Sequence, residues 1–139
     1  MEHVLKYSKK VLKDTEAADI IFIPEMKLLQ IIWKGKVNSE QYKETFLSAL
    51  KYADIIDKGN FMSDIRRQVI IGPRDRTWFE EVALPSAIER GLQKAAVVFD
   101  GNIFKEYYLN HILVRSKKFD LPLKFFRSTE EAIEWLNEK

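Results

Sequence analysis

The sequence predicts a single α/β domain in which an N-terminal β-hairpin leads into a mostly parallel sheet with helices packed on it. Three observations predict it. Short β-branched and aromatic runs alternate with segments of helical periodicity, an order that needs parallel pairing through right-handed crossovers. Lys94-Ala95-Ala96-Val97-Val98-Phe99 is a nearly continuous apolar run, as expected of a strand covered on both faces. The 139 residues, 46% of them hydrophobic, are one domain's worth and enough for a core without covalent staples.

The elements follow in order. Residues 1–18 form an N-terminal extension with a short apolar pair among lysines and a polar stretch through Asp14, Thr15 and Glu16, read as a loop or a weak helix; His3 falls in a mobile terminus. Asp19–Ile23 and Leu28–Trp33 are β-rich and flank a reversal at Pro24-Glu25-Met26-Lys27, which makes an antiparallel hairpin. Asn38 with Gln41 three residues on has capping-box spacing, and Tyr42, Phe46, Leu50 and Ala53 then give one apolar helix face. Gly59 is placed to end that helix. Phe61–Ile65 is a short strand, followed by a polar loop from Arg66 to Arg74 around Val69-Ile70-Ile71. Asp75 caps the next helix, which carries Trp78, Phe79, Val82, Ala87 and Ile88 and stops at Gly91. Pro85 inside it removes a donor and clashes one turn back, so a kink or break is expected there. After the strand Lys94–Phe99, the residues Phe104, Tyr108, His111, Ile112 and Arg115 outline another helix. Leu123–Phe126 is the last strand, and Ser128 with Glu131 caps a closing helix through Ala132, Ile133, Trp135 and Leu136.

Composition narrows the function classes. Zero cysteines exclude a disulfide framework, a thiolate metal site and a cysteine nucleophile, and suit a cytoplasmic protein. Lys+Arg 23 against Asp+Glu 21 leaves a formal charge of +2, too small for the broad positive field of a nucleic-acid binder. No apolar run approaches the roughly 20 residues of a transmembrane span, and no signal-peptide pattern follows the early lysines. Lys9, Lys10 and Lys13 read as a solvated face. The inventory for catalysis is thin, with two histidines, no Gly-x-Ser-x-Gly elbow and no glycine-rich phosphate loop. His111 reads as a packed or surface histidine. The sequence implies no cofactor, no metal and no enzyme.

Taken together, Leu29-Gln30-Ile31-Ile32-Trp33-Lys34-Gly35, Ser63-Asp64-Ile65-Arg66, Asp75-Arg76-Thr77-Trp78, Leu84-Pro85-Ser86-Ala87-Ile88-Glu89-Arg90-Gly91, Ala95-Ala96-Val97-Val98 and the stretch from Phe125-Phe126 to Trp135-Leu136 resemble the SpoIIAA-like family of small bacterial proteins. That family is related in fold to the STAS (anti-sigma-factor antagonist) and CRAL-TRIO lipid-transfer domains. The resemblance covers about Asp19 to Leu136, and it implies a sheet covered by helices and a regulatory or protein-interaction role. In the antagonists a serine opening the helix after the third strand is phosphorylated. Here Ser63 and Asp64 stand at the strand end and no serine opens that helix, which puts phospho-switching in doubt.

The most site-like cluster is Asp64, Arg66, Arg67, Arg74, Arg76 and Trp78, between the end of a parallel strand and the start of the next helix. Ligands of open α/β sheets bind at that edge, and guanidinium groups beside a helix start favour an anion. The plainer alternative is that Asp64 and Asp75 pair with these arginines to pin the loop. Asp64 is expected to accept hydrogen bonds from that loop or from Arg66. Trp33, Trp78 and Trp135 suit core or rim packing. The reading is a non-enzymatic regulatory or interaction module acting through a protein partner or a small ligand at the strand-end face. Its alternative is a lipid or small apolar-anion binder using a cleft near the carboxyl ends of the strands; a homo-oligomer is compatible with either.

Overall fold

The computed structural model describes residues 7–138; His3 and Lys6 lie outside them. Six strands form one sheet in chain order, β1 (Lys10–Asp14), β2 (Ala18–Ile23), β3 (Leu28–Trp33), β4 (Asn60–Asp64), β5 (Lys94–Val98) and β6 (Leu123–Phe126). The pairs β1–β2 and β2–β3 are antiparallel, and every later pair is parallel. The expected hairpin and parallel block are therefore both present. The reversal between β2 and β3 is a 3-10 turn, Pro24–Met26, closed by Lys27 in the left-handed region at φ 49°.

The stretch expected to be loop or weak helix contains β1 instead. Its lysines sit on the sheet's outer edge, where charge discourages further pairing, and Thr15 ties the turn to β2 through its hydroxyl, which accepts from the Ala17 and Ala18 N–H groups.

Four helices complete the chain: α1 (Ser39–Ala53), α2 (residues 73–89), α3 (Ile103–Lys117) and α4 (Thr129–Asn137). Asn38 and Gln41 form the reciprocal capping box on α1, and Ser128 caps α4 by accepting from the Glu131 N–H. Gly59 does not end α1, which stops at Ala53. Its role is proximity, because a Cβ there would meet the Lys27 carbonyl oxygen at 2.8 Å. Asp75 is not the cap of α2: Gly72 holds that position and Pro73 opens the helix, so Asp75 lies buried in the first turn and accepts from the Ser39 hydroxyl. The break expected near Pro85 is a π turn, Phe79–Ala83, in which the Leu84 N–H reaches the Phe79 carbonyl before the helix restarts at Leu84–Glu89. The wider turn absorbs the missing proline donor.

Strand alternation assigns the core. Ala18, Ile20, Leu29, Ile31, Trp33, Ala95 and Val97 face one side of the sheet, and Ile21, Ile23, Leu28, Met62, Ala96 and Val98 face the other. Because β3 to β6 are laid down in one direction, crossovers of one hand put α1, α2 and α3 on the same side; their buried Tyr42, Phe46, Ala49, Ala83, Leu84, Tyr108, Leu109 and Ile112 join the first cluster. Among the described helices only α4, through Ala132, Ile133 and Leu136, covers the second. The buried stripe of α3 is Lys105, Tyr108, Leu109, Ile112 and Ser116, while Phe104 and His111, which also outline the helix in the sequence, are exposed.

Candidate functional site

Asp64 ends β4 on the α4 side and is only 5% exposed. A carboxylate so placed needs donors. It accepts from the Arg66 backbone N–H at 3.2 Å, from Arg66 Nε at 3.0 Å and from Arg66 Nη2 at 2.7 Å. Arg66 Nη2 also donates to Thr129 Oγ1 at 3.2 Å, which ties the loop to the first turn of α4. The hydrogen bonds to Asp64 hold the Arg66 guanidinium above its ordinary value.

The remaining members of the cluster go elsewhere. Arg67 and Arg74 are exposed. Arg76 places its guanidinium 5.6 Å from the centre of the Tyr108 ring, and Trp78 packs edge-on to Tyr42 with Lys43 Nζ 5.9 Å from its ring. Asp64 and Arg66 thus stand on the α4 side of the sheet, whereas Arg76 and Trp78 stand with α1 and α3 on the other. The cause is the period of two along β4, which turns Asp64 away from the face on which α2 lies. The six residues do not gather around one point. Ser63, their neighbour, is buried and its Oγ accepts from Trp33 Nε1 at 3.1 Å.

A cavity of about 120 Å³ lies between the sheet and helices α1, α2 and α3. Its floor is Leu29, Trp33, Phe61, Ser63, Ala95 and Val97, and its roof includes Phe46, Phe79 and Leu84. Period two supplies the floor and the apolar faces of the helices supply the roof. Small side chains, Ala49, Ala53, Ala83, Ala87 and Ala95, leave the space unfilled. The end beside the carboxyl ends of β3 and β4 is closed by buried Trp33, Tyr42, Ile65, Gln68 and Tyr108. The other end carries half-buried Ile56, Gly59, Asn60 and Leu92 with exposed Lys27 and Arg90, so the mouth lies at the amino ends of the strands. A cleft was expected from the sequence at the opposite end. Arg90 is held at that mouth by Asp54, Nε to Oδ1 at 2.8 Å.

Burial pushes the Tyr42 phenol well up, with Tyr108, Asp75 and Glu80 adding to it, and burial pushes Tyr108 to about 12 against the opposing charge of Arg76. Both are neutral hydroxyls at ordinary pH. Gln68 was missed from the sequence, because an amide in a polar loop gives no sign that the loop folds it inward. Tyr42 was recognised as core from its helical spacing, but nothing in that spacing marks its hydroxyl.

A family model described as SpoIIAA-like matches residues 28–137. Among solved structures, the chain is similar to an uncharacterized protein with a SpoIIAA-like fold from Shewanella loihica PV-4, with a TM-score of 0.52 and 16% identity over 94% of this chain and 93% of that one. At that identity the likeness shows the fold alone. A search of curated proteins gave no match.

Proposed function

This chain belongs to the SpoIIAA-like family, and on that premise we propose that it is a non-enzymatic regulatory module that binds a small, mainly apolar ligand between its sheet and helices α1 to α3. The observation that carries this reading is the cavity, lined chiefly by aliphatic and aromatic side chains and open at one end. Its volume is close to the roughly 150 Å³ of an apolar cavity that stays dry and takes a benzene ring. A ring or a short chain fits, and the bulk of a membrane lipid does not. No histidine, aspartate or glutamate is among the lining residues, so the walls offer no ordinary general base. That supports binding over turnover.

Native mass spectrometry of the purified chain, followed by NMR titration with p-xylene, tests the reading. The expected result is a co-purified small molecule, or saturable shifts for residues lining the cavity. No adduct and no shift would overturn it.

A second observation favours a protein-interaction role for the same domain. On α3 the residues Ile103, Phe104, Tyr107 and Val114 are all more than half exposed and recur along the helix away from the sheet. This reading takes that face as the contact with a protein partner or with a second copy of the chain. Light scattering of the wild type and Phe104→Glu separates the two. A dimer lost in the variant supports self-association, a monomer leaves the heterologous partner, and precipitation of neither protein at high concentration would argue that the face needs no cover. No helix among the described residues is long and apolar enough to cross a membrane.

A further inference from the structure

The closed end of the cavity is polar in a way that packing does not require. Gln68 is 4% exposed and lines the cavity, and its side-chain amide has no hydrogen-bond partner among the described residues. Tyr42 and Tyr108 line the same end, both more than nine-tenths buried, and their hydroxyls are likewise without a hydrogen-bond partner among the described residues. Ser63 Oγ accepts from Trp33 Nε1, which leaves its own proton to donate. Buried polar groups are nearly always satisfied in folded proteins, and leaving one unmet costs stability. Three side chains without a partner, together with the free Ser63 proton, stand at one end of one apolar cavity and make a recognition surface lacking its complement.

We propose that the ligand is an uncharged molecule with an apolar body and one oxygen acceptor, a carbonyl, ether or hydroxyl, whose oxygen is held at the closed end by Gln68 with Tyr42, Tyr108 and Ser63. This deepens the binding role proposed above and rests on it. The amide brings two N–H groups and each hydroxyl one O–H, so a ligand oxygen finds several donors there, and the amide carbonyl and hydroxyl oxygens can in turn accept the proton of a ligand hydroxyl. Charge decides neutrality. Asp75 and Glu80 both act on Tyr42, so the field at that end opposes a second anion. The buried ammonium nearby, Lys105, donates to the Ile65 carbonyl at 2.8 Å and lies 3.4 Å from Asp100, so it is already engaged. Arg76 lies over the Tyr108 ring and pulls the other way, but it is one half-buried cation against two carboxylates. An ionised head group would also lose its water on entry, which costs far more than an alcohol loses.

Two matched probe series test the proposal on the whole chain: p-xylene, p-cresol and 4-methylbenzoate for a ring, and hexane, 1-pentanol and pentanoate for a chain, each titrated by NMR at neutral pH. In the series that fits, the oxygen-bearing neutral probe should bind about three- to tenfold more tightly than its hydrocarbon, the worth of one net hydrogen bond. The carboxylate should bind at least about tenfold more weakly than the neutral probe. Gln68→Leu should reduce the margin over the hydrocarbon while the hydrocarbon still binds; Tyr108→Phe serves the same purpose should the leucine variant not fold. Equal binding of hydrocarbon and alcohol, a margin that neither variant changes, or tightest binding by the carboxylate would each overturn the oxygen-acceptor proposal and leave the cavity reading standing. No binding by any member of either series would overturn both.

Discussion

At the scale of single residues, the pairing of Asp64 with Arg66 was legible because a carboxylate at a strand end needs donors and the nearest guanidinium was two positions away. Which arginines would share a site was not legible, since that depends on which face of the sheet each one leaves from. Asp64→Ala should lower stability by about 1–3 kcal/mol, because three hydrogen bonds to a buried carboxylate disappear and the link through Arg66 to Thr129 loosens. An unchanged denaturation midpoint would refute this. Gly59→Ala should also destabilise the fold, since the obstacle at 2.8 Å is backbone, the Lys27 carbonyl, and not a movable side-chain tip. The two buried phenols give a pH prediction. Tyr42 and Tyr108 are both raised from an ordinary value of about 10. The folded state therefore holds these protons more tightly than the unfolded one. Their contribution is fully present below about pH 10 and is lost as pH rises from there toward the folded value of about 12 for Tyr108. Denaturation curves across this range should show stability falling, and Tyr108→Phe should fall less steeply.

At the scale of elements, the strands and helices with strong periodicity were legible, and an edge strand that buries little and a helix with apolar residues on two faces were less so. β1 was missed because an edge strand with lysines on it buries little, so its sequence lacks the alternation that a half-buried strand shows. The buried stripe of α3 was not legible because apolar residues lie on both its sides: Tyr108, Leu109 and Ile112 inward, Ile103, Phe104 and Tyr107 outward. Periodicity cannot choose a face when two are offered. Pro85, by contrast, carried a clear signal, and the π turn before it is what that signal demanded. Hydrogen exchange should rank the strands accordingly. β4 and β5 are bonded on both edges and should exchange most slowly, whereas β1 is paired on one side only and its register shifts between Val11 and Lys13. Protection of β1 equal to that of β5 would contradict the edge assignment. The cap at Asn38 belongs to this scale as well, and Asn38→Ala should cost about 0.5–2 kcal/mol by circular dichroism melting, since the Gln41 N–H loses the Asn38 Oδ1 that accepts from it.

At the scale of the whole molecule, the cavity follows from topology as much as from side chains. One-handed crossovers stack three helices on one side of the sheet, and a broken α2 with alanines along its inner face cannot close down on the strands as a straight, leucine-rich helix would. No local pattern could announce this space, because it is a difference between the volume the backbone encloses and the volume the side chains supply. Unfilled space costs stability, by roughly 24 cal/mol per Å³ in cavity series, so a void retained at this size suggests that something other than stability keeps it. Ala95→Val tests the trade. Ala95 lies on the floor of the cavity in central strand β5, where a β-branched side chain suits the backbone and its two added carbons enter empty space. At about 0.8 kcal/mol per buried carbon the variant should gain on the order of 1 kcal/mol once some crowding is subtracted. It should also bind p-xylene and p-cresol more weakly, because the volume that stabilises the chain is the volume the probe would occupy. A higher denaturation midpoint together with lost binding is the expected pair. Lower stability would mean that the space is already taken up by the packing of the helices, and undiminished probe binding would place the ligand outside the cavity altogether.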